Sequence, residues 1–393
     1  MKLFRKILFW AHLCLGLAAG VLIALMCLTG AILAFQTEIL NWAEADAIQV
    51  EDHGTRERLS VDELVAGAKA AAPELPFSQV EIPSAEDEAW IIQAGRGEFR
   101  YLDPYTGAFR EGTAVGLRKF FHLNLMLHRW LALEGDARGL GKNINGISNA
   151  VFLFLALSGL YLWFPRQWRW KQFKLVLFFK SFSQAKARNF NWHNVFGFWA
   201  LLPIVLMAFT AAMFHYDWAR NTADALFGQS PPRPGQALQA EARSETVSGP
   251  DLSLEERFQI AAAWPQAWDS IQMSISTAEG QPSGKRRGPP APDPAVVLVQ
   301  ESGLWFPFNR PSELIIHPQS GEIEAERTPR ELSLKQKIRS SFRWIHTGEA
   351  GLLPGKIIAF LGCVAGIVLV YTGFALSIHR LKSSLRKKKQ RQV

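Results

Sequence analysis

Of the nine histidines in this 393-residue chain, seven stand at the ends of long apolar runs. His12, His193 and His379 lie at one set of ends, and His122, His128, His215 and His346 at the other. An ionisable ring at membrane depth is costly, so it normally faces a bundle interior and serves a pathway or a ligand. A single such ring is as often a hydrogen bond to a neighbouring helix. Imidazole is also the usual protein ligand of haem iron, and two neutral rings from different helices can clamp a porphyrin inside an apolar bundle. Gly16 and Gly197 follow His12 and His193 by four residues, one helical turn on the same face, where a flat macrocycle needs a gap. Gly16 and Gly20 also form a G-x-x-x-G packing pattern, and both readings of Gly16 stay open. The histidines lack the close spacing of a zinc site. No Asp or Glu within the apolar stretches supplies a proton relay. Haem survives this elimination best, with His12, His193, His128 and His346 as axial ligands. His379 is an alternative at the inner site, His122 at the outer, and His215 has no counterpart. His53 and His317 fall outside the apolar runs and read as surface or turn residues.

The elements that must position these rings are four transmembrane helices, at 7–35, 143–164, 194–216 and 355–378. The first apolar run is too long for a signal-peptide core and is read as a retained helix. From His193 to His215 a straight helix would rise about 33 Å, the thickness of the hydrocarbon core, so the histidines form two layers. Pro203 is the one proline inside these helices, and no mid-membrane break is expected. Residues 1–6, the loop 165–193 and the tail 380–393 hold 17 of the 43 Lys and Arg and none of the 35 Asp and Glu. That asymmetry places both termini and the loop in the cytoplasm and makes the basic tail a topology and lipid contact, with no nucleic-acid partner. Cys14, Cys27 and Cys363 all fall within predicted helices and read as small packing residues.

The chain also repeats itself. His12, Gly16 and Thr29 align with His193, Gly197 and Thr210 at a constant offset, and "LHRWL…SGLYLWFPR" aligns with "IHTG…TGFALSIHR", matching His128 to His346. Two extracytoplasmic regions, 37–120 and 217–340, each open on a Ser-capped helix, "LSVDELVAGAKAAAP" and "LSLEERFQIAAAWP". Strands are expected at 79–82, 89–93 and 99–103, and at 271–276, 295–300 and 313–317, with turns at "DPYTG" and "HPQSG". Pro/Gly-rich inserts at 228–250 and 279–294 read as loops. The expected fold is a four-helix transmembrane bundle built from two parallel repeats, each carrying a small extracytoplasmic α+β domain.

These motifs, with the first helix ending in "LTG" and "IHTGEAGLLPGK" before the last, resemble the PepSY-associated transmembrane proteins of bacterial inner membranes over nearly the whole chain. Members with four helices and two PepSY domains include ferric-siderophore reductases with two b-type haems. The resemblance therefore implies an oxidoreductase that passes electrons across the inner membrane and frees iron from a ferric siderophore in the periplasm, with the haem ligands at the membrane-end histidines. "FTA" at 209–211 departs from the family's T-G. A siderophore would dock near Arg129, Trp130, Arg343 and Trp344, although such residues more often form an interfacial aromatic and arginine belt; Trp305, Phe306 and Phe308 are further candidates, though such residues are more often domain core. No dinucleotide fingerprint appears, so electrons would come from a quinol or from a separate cytoplasmic donor received by the basic loop. Two rival classes remain: a siderophore or metal permease without redox role, and a PepSY-based regulator or sensor of peptidases.

Overall fold

The computed structural model describes residues 2–51, 56–94, 98–165, 169–228, 250–264, 266–275, 296–304 and 310–390. His53, Trp305, Phe306, Phe308, the insert 279–294 and nearly all of the insert 228–250 lie outside the described residues. In chain order the elements are α1 (Lys2–Leu33), α2 (Gln36–Ala43), α3 (Ala45–Ile48), α4 (Val61–Ala71), β1 (Gln79–Pro83), β2 (Trp90–Gln93), β3 (Phe99–Leu102), β4 (Phe109–Arg110), α5 (Val115–Trp130), α6 (Ala137–Trp163), α7 (Trp170–Leu177), α8 (Ala185–Trp199), α9 (Leu201–His215), α10 (Asp217–Phe227), α11 (Leu254–Ala262), β5 (Trp268–Ser274), β6 (Val296–Glu301), β7 (Ser312–Ile316), β8 (Ile323–Arg327), α12 (Leu334–Ser340), α13 (Phe342–Thr347) and α14 (Leu352–Gln390). They form two compact units, one of Met1–Gln36, Leu117–Gly228 and Ser341–Val393, the other of Thr37–Gly116 and Gln229–Ser340.

The second unit is built on one antiparallel sheet of order β4-β3-β2-β1-β5-β6-β7-β8. The two expected α+β regions thus share a sheet, joined where β1 pairs with β5 and Ile82 faces Ile271 across the seam. Alternating apolar residues on the strands, Val80, Ile82, Ile92, Ile271, Met273 and Val297 among them, share one core with Leu64 and Ala68 of α4 and Ala261 of α11. Both expected helix caps form as capping boxes, Ser60 with Glu63 and Ser253 with Glu256. The hydrogen bonds that Ser60 donates from its N–H and hydroxyl hold the Glu63 carboxyl below the usual range. The two helix N-termini also serve each other: Asp62 accepts from the N–H groups of Leu254 and Glu255, and Glu255 accepts from that of Val61. In the turns, Asp103 accepts from the N–H groups of Tyr105 and Thr106, and His317 Nδ1 takes the same part for Gln319 and Ser320. That use gives His317 the turn role expected of it. The outermost strands β4 and β8 were not anticipated, because β4 is two residues long and β8, "IEAER", carries only Ile323 and Ala325 as apolar residues among three charged ones.

Among the described residues of the first unit, three helices are long and apolar enough to cross a membrane: Leu3–Leu33, Ala137–Trp163 and Glu349–Leu385. A fourth span exists if α8 and α9 count as one, but they meet at a 62° bend. This corrects the straight third helix expected from sequence, and with it the absence of a break and the 33 Å rise between His193 and His215. The cause is Pro203, which offers no N–H to the carbonyl of Trp199 and whose ring crowds that carbonyl. Gly362 of α14 makes room for the bend, since a Cβ there would stand 3.3 Å from Pro203. The interior is knit by close approach: a Cβ on Gly366 would lie 2.5 Å from Cys27 Sγ, and one on Gly20 2.5 Å from the Phe374 ring. Helices in lipid gain little from burying apolar surface against one another, so such packing and interhelical hydrogen bonds carry the association. Cys27 accordingly serves as a small packing residue beside Ile23, Phe152 and Cys363.

Candidate functional site

Four histidines come together as two pairs within the membrane-helix unit. His12 of α1 and His193 of α8 have ring centroids 6.5 Å apart, and His128 of α5 and His346 of α13 have theirs 6.2 Å apart. Each ring is held at Nδ1 by a hydroxyl from another helix: His12 by Ser158 of α6 at 2.9 Å, and His193 by Thr372 of α14 at 2.9 Å. His128 is held by Thr29 of α1 at 2.9 Å, and His346 by Thr210 of α9 at 3.3 Å. Backbone carbonyls join at the second pair, Met26 at 3.1 Å from His128 Nδ1 and Met207 at 3.0 Å from His346 Nδ1. With Nδ1 occupied on every ring, Nε2 is the nitrogen left for a ligand.

The four hydroxyls are buried, between 0 and 4 % exposed. Each belongs to a dipeptide whose second member is small: Thr29-Gly30, Ser158-Gly159, Thr210-Ala211 and Thr372-Gly373. A Cβ on Gly30, Gly159 or Gly373 would stand 3.2, 3.4 or 3.7 Å from the Cε1 atom of His128, His12 or His193. These glycines border the rings directly. Gly16 and Gly197, the ones singled out by sequence, instead face Leu155 and Leu369 at 3.8 and 3.6 Å. Sequence reasoning saw "LTG", "SG" and "TG" only as alignment marks and missed their contact with the rings. The Ala of "FTA" sits where the hydroxyl-to-ring distance is longest.

The second pair is also fixed through its backbone. Asn145 of α6 donates to the carbonyls of His128 at 2.6 Å and Arg129 at 3.3 Å, satisfying the C-terminal end of α5. Leu131 and Ala132 then turn the chain with positive φ, and Gly141 lets α6 pass against the carbonyl of Trp130. The end of α13 is built alike, with Gly348 at φ +80° and Gly355 meeting backbone to backbone. Buried Asn124 and Asn149 donate across helices to Thr29 O and Ala208 O. A polar search restricted to ionisable side chains had no means of finding these asparagines.

Of the remaining membrane-end histidines, His215 lies near the His128–His346 pair, with no hydrogen bond or ring contact to it among the described residues. His215 donates to Ala211 O within its own helix. His122 is exposed on α5 and His379 half-buried on α14, and neither has a ring partner among the described residues. Arg129 and Arg138 both lie over the Trp130 ring, at 5.1 and 4.0 Å, and Arg343 over Trp344 at 5.0 Å. Among the described residues no group of three or more His, Cys, Asp or Glu side chains converges. The histidine pairs are therefore two-ligand arrangements.

Their spacing suits that task. Two imidazoles that would share one metal atom through their Nε2 nitrogens need ring centroids within about 5–7 Å of each other. The observed 6.5 and 6.2 Å fall in that range. Paired imidazoles set by hydroxyls in an apolar, glycine-relieved bundle are the donor set that a haem requires.

The PepSY-associated TM region family matches residues 9–380. The chain belongs to this family. No curated protein matches it in a sequence comparison. The membrane spans and the separate antiparallel sheet unit agree with a membrane protein carrying a PepSY-like domain.

Proposed function

We propose that this PepSY-associated protein carries electrons across the bacterial inner membrane and reduces ferric siderophore in the periplasm, releasing the iron. The observation that carries this reading is the pair of histidine pairs, each at a spacing that fits one metal atom. His12 and His193 would hold one b-type haem, and His128 and His346 the other. Bound haem supplies one-electron chemistry that no protein side chain here offers. The chain's own part would be to supply Nε2 of each paired ring, orient the rings through Ser158, Thr372, Thr29 and Thr210, and exclude water with the surrounding apolar helices. Ferric chelates are held far more tightly than ferrous ones, so a single electron delivered outside suffices for release. The electron would enter from a quinol or a cytoplasmic donor near the basic loop 165–193, with both termini cytoplasmic and the sheet unit periplasmic. The reading of two parallel repeats is supported by two regularities. The hydroxyl contacts run α6 to α1 and α14 to α8 at one pair, α1 to α5 and α9 to α13 at the other, and the strand order is the same counted from either edge of the sheet.

The break between α8 and α9 favours a second reading, since transporters build their binding sites at discontinuous helices. Purification in detergent from haem-replete cells separates the two. The reductase reading expects two haems per chain with a reducible low-spin spectrum, and one haem after His128→Ala or His346→Ala. A colourless wild-type protein would overturn the reductase reading, and uptake of chelated iron by a haem-free variant would favour the permease.

A further inference from the structure

We propose that Thr29, Thr210 and Thr372 are positioning residues that fix which ring nitrogen of His128, His346 and His193 carries the hydrogen, and thereby leave Nε2 with its lone pair free for a metal. The electronic consequence rests on the haem reading above; the hydrogen assignment does not.

A threonine hydroxyl has one hydrogen to give. Thr29 Oγ1 lies 2.7 Å from Leu25 O, Thr210 Oγ1 2.7 Å from Leu206 O, and Thr372 Oγ1 2.7 Å from Val368 O. Each of these is the carbonyl one turn back on the same helix, the usual back-bond of a helical threonine. A carbonyl only accepts, so the hydroxyl hydrogen is committed there. The same oxygen stands 2.9, 3.3 and 2.9 Å from a histidine Nδ1, and it has only a lone pair to offer. Nδ1 must therefore donate. Met26 O and Met207 O make the same demand of His128 and His346, because they too can only accept. Three rings are thus held with hydrogen on Nδ1 and none on Nε2.

Ser158 differs. Its hydroxyl is 3.3 Å from Leu155 O, a longer back-bond than the 2.7 Å of the threonines, so its hydrogen is less firmly held on its own helix, and it can either give to or accept from His12 Nδ1. The proposal therefore covers three of the four rings, and His12 is the internal contrast. Where a metal is bound, an acceptor on Nδ1–H makes the ring a stronger donor through Nε2 and favours the oxidised metal.

The experiment compares Thr372→Val, Thr372→Ser and wild type, with Thr29→Val and Thr29→Ser as the second set. In the haem-loaded protein each valine variant is expected to keep two haems and to shift the midpoint potential of one of them upward, and the serine variant to restore it. Ring nitrogen-15 spectra of the haem-free protein are expected to show His193 and His128 with hydrogen on Nδ1 in wild type and the serine variants, a mixture of tautomers at His193 in Thr372→Val, and hydrogen retained on Nδ1 of His128 in Thr29→Val, where Met26 O still accepts. A wild-type His193 or His128 protonated on Nε2 overturns the assignment. Unchanged potential in a fully loaded valine variant, or a serine variant no better than valine, overturns the positioning role. A wild type that takes up no haem defeats the proposed function, while the nitrogen spectra still decide the tautomers.

Discussion

Substituting Gly141 by alanine should dismantle the His128–His346 site from a distance. The added Cβ would stand 2.1 Å from the Trp130 carbonyl oxygen and 2.9 Å from its carbon, both backbone atoms that cannot rotate aside. An ordinary carbon-to-oxygen approach is about 3.3 Å, so α6 and the end of α5 must separate by about 1.2 Å at this point. Asn145, one turn along α6, holds the His128 carbonyl at 2.6 Å and would be drawn away with its helix. Overpacking of this kind costs about 1–3 kcal/mol, and a lost interhelical hydrogen bond about 1 kcal/mol more. Metal ligation tolerates only about 0.2 Å of error, so a displacement several times larger at the residue two places after His128 should cost the ligand its position. The expected protein melts lower than wild type and retains one haem per chain, at His12 and His193. Gly139→Ala is the control, because nothing lies within 4 Å of a Cβ there. A Gly141→Ala protein with two haems and an unchanged melting temperature would refute the link between backbone approach and ring position.

Ile271→Ala should destabilise the sheet unit by about 2–5 kcal/mol, because Ile271 is 0 % exposed at the seam where β1 meets β5. Hydrogen exchange on the full chain should then rise in β1 and β5 together; acceleration confined to β5 would mean that the halves fold independently. Because the Glu63 carboxyl is held below its ordinary value of about 4.3, its contribution to the start of α4 is complete above that pH and fades as the pH falls through the depressed value. Amide exchange of the first turn of α4, corrected for intrinsic rate, should therefore accelerate on acidification in wild type and lose this pH dependence in Glu63→Gln.

Much of the candidate site was legible because depth in a membrane restricts what a histidine can be for. The repeat alignment paired His12 with His193 and His128 with His346, and the structure brings the members of each pair to 6.5 and 6.2 Å. Ser caps before apolar runs likewise announced α4 and α11, since a capping box is a local arrangement of four residues. Most of the central strands were also readable from alternation. What could not be read was every contact that joins residues far apart in the chain.

Amino-acid order by itself determined the apolar spans, the asymmetry of charge, the family resemblance and the types of residue available as ligands, because each depends on composition or near neighbours. Tertiary structure alone decided that the two α+β regions share one sheet through β1 and β5, that Pro203 turns a nominally straight span through 62°, and that Gly30, Gly159 and Gly373, not Gly16 and Gly197, border the rings. It also decided which hydroxyl meets which imidazole: Ser158 lies 146 residues from His12 and Thr372 179 residues from His193. Such pairings are set by how helices cross, and a side chain's direction on a packed helix depends on the neighbour it meets as much as on its own sequence.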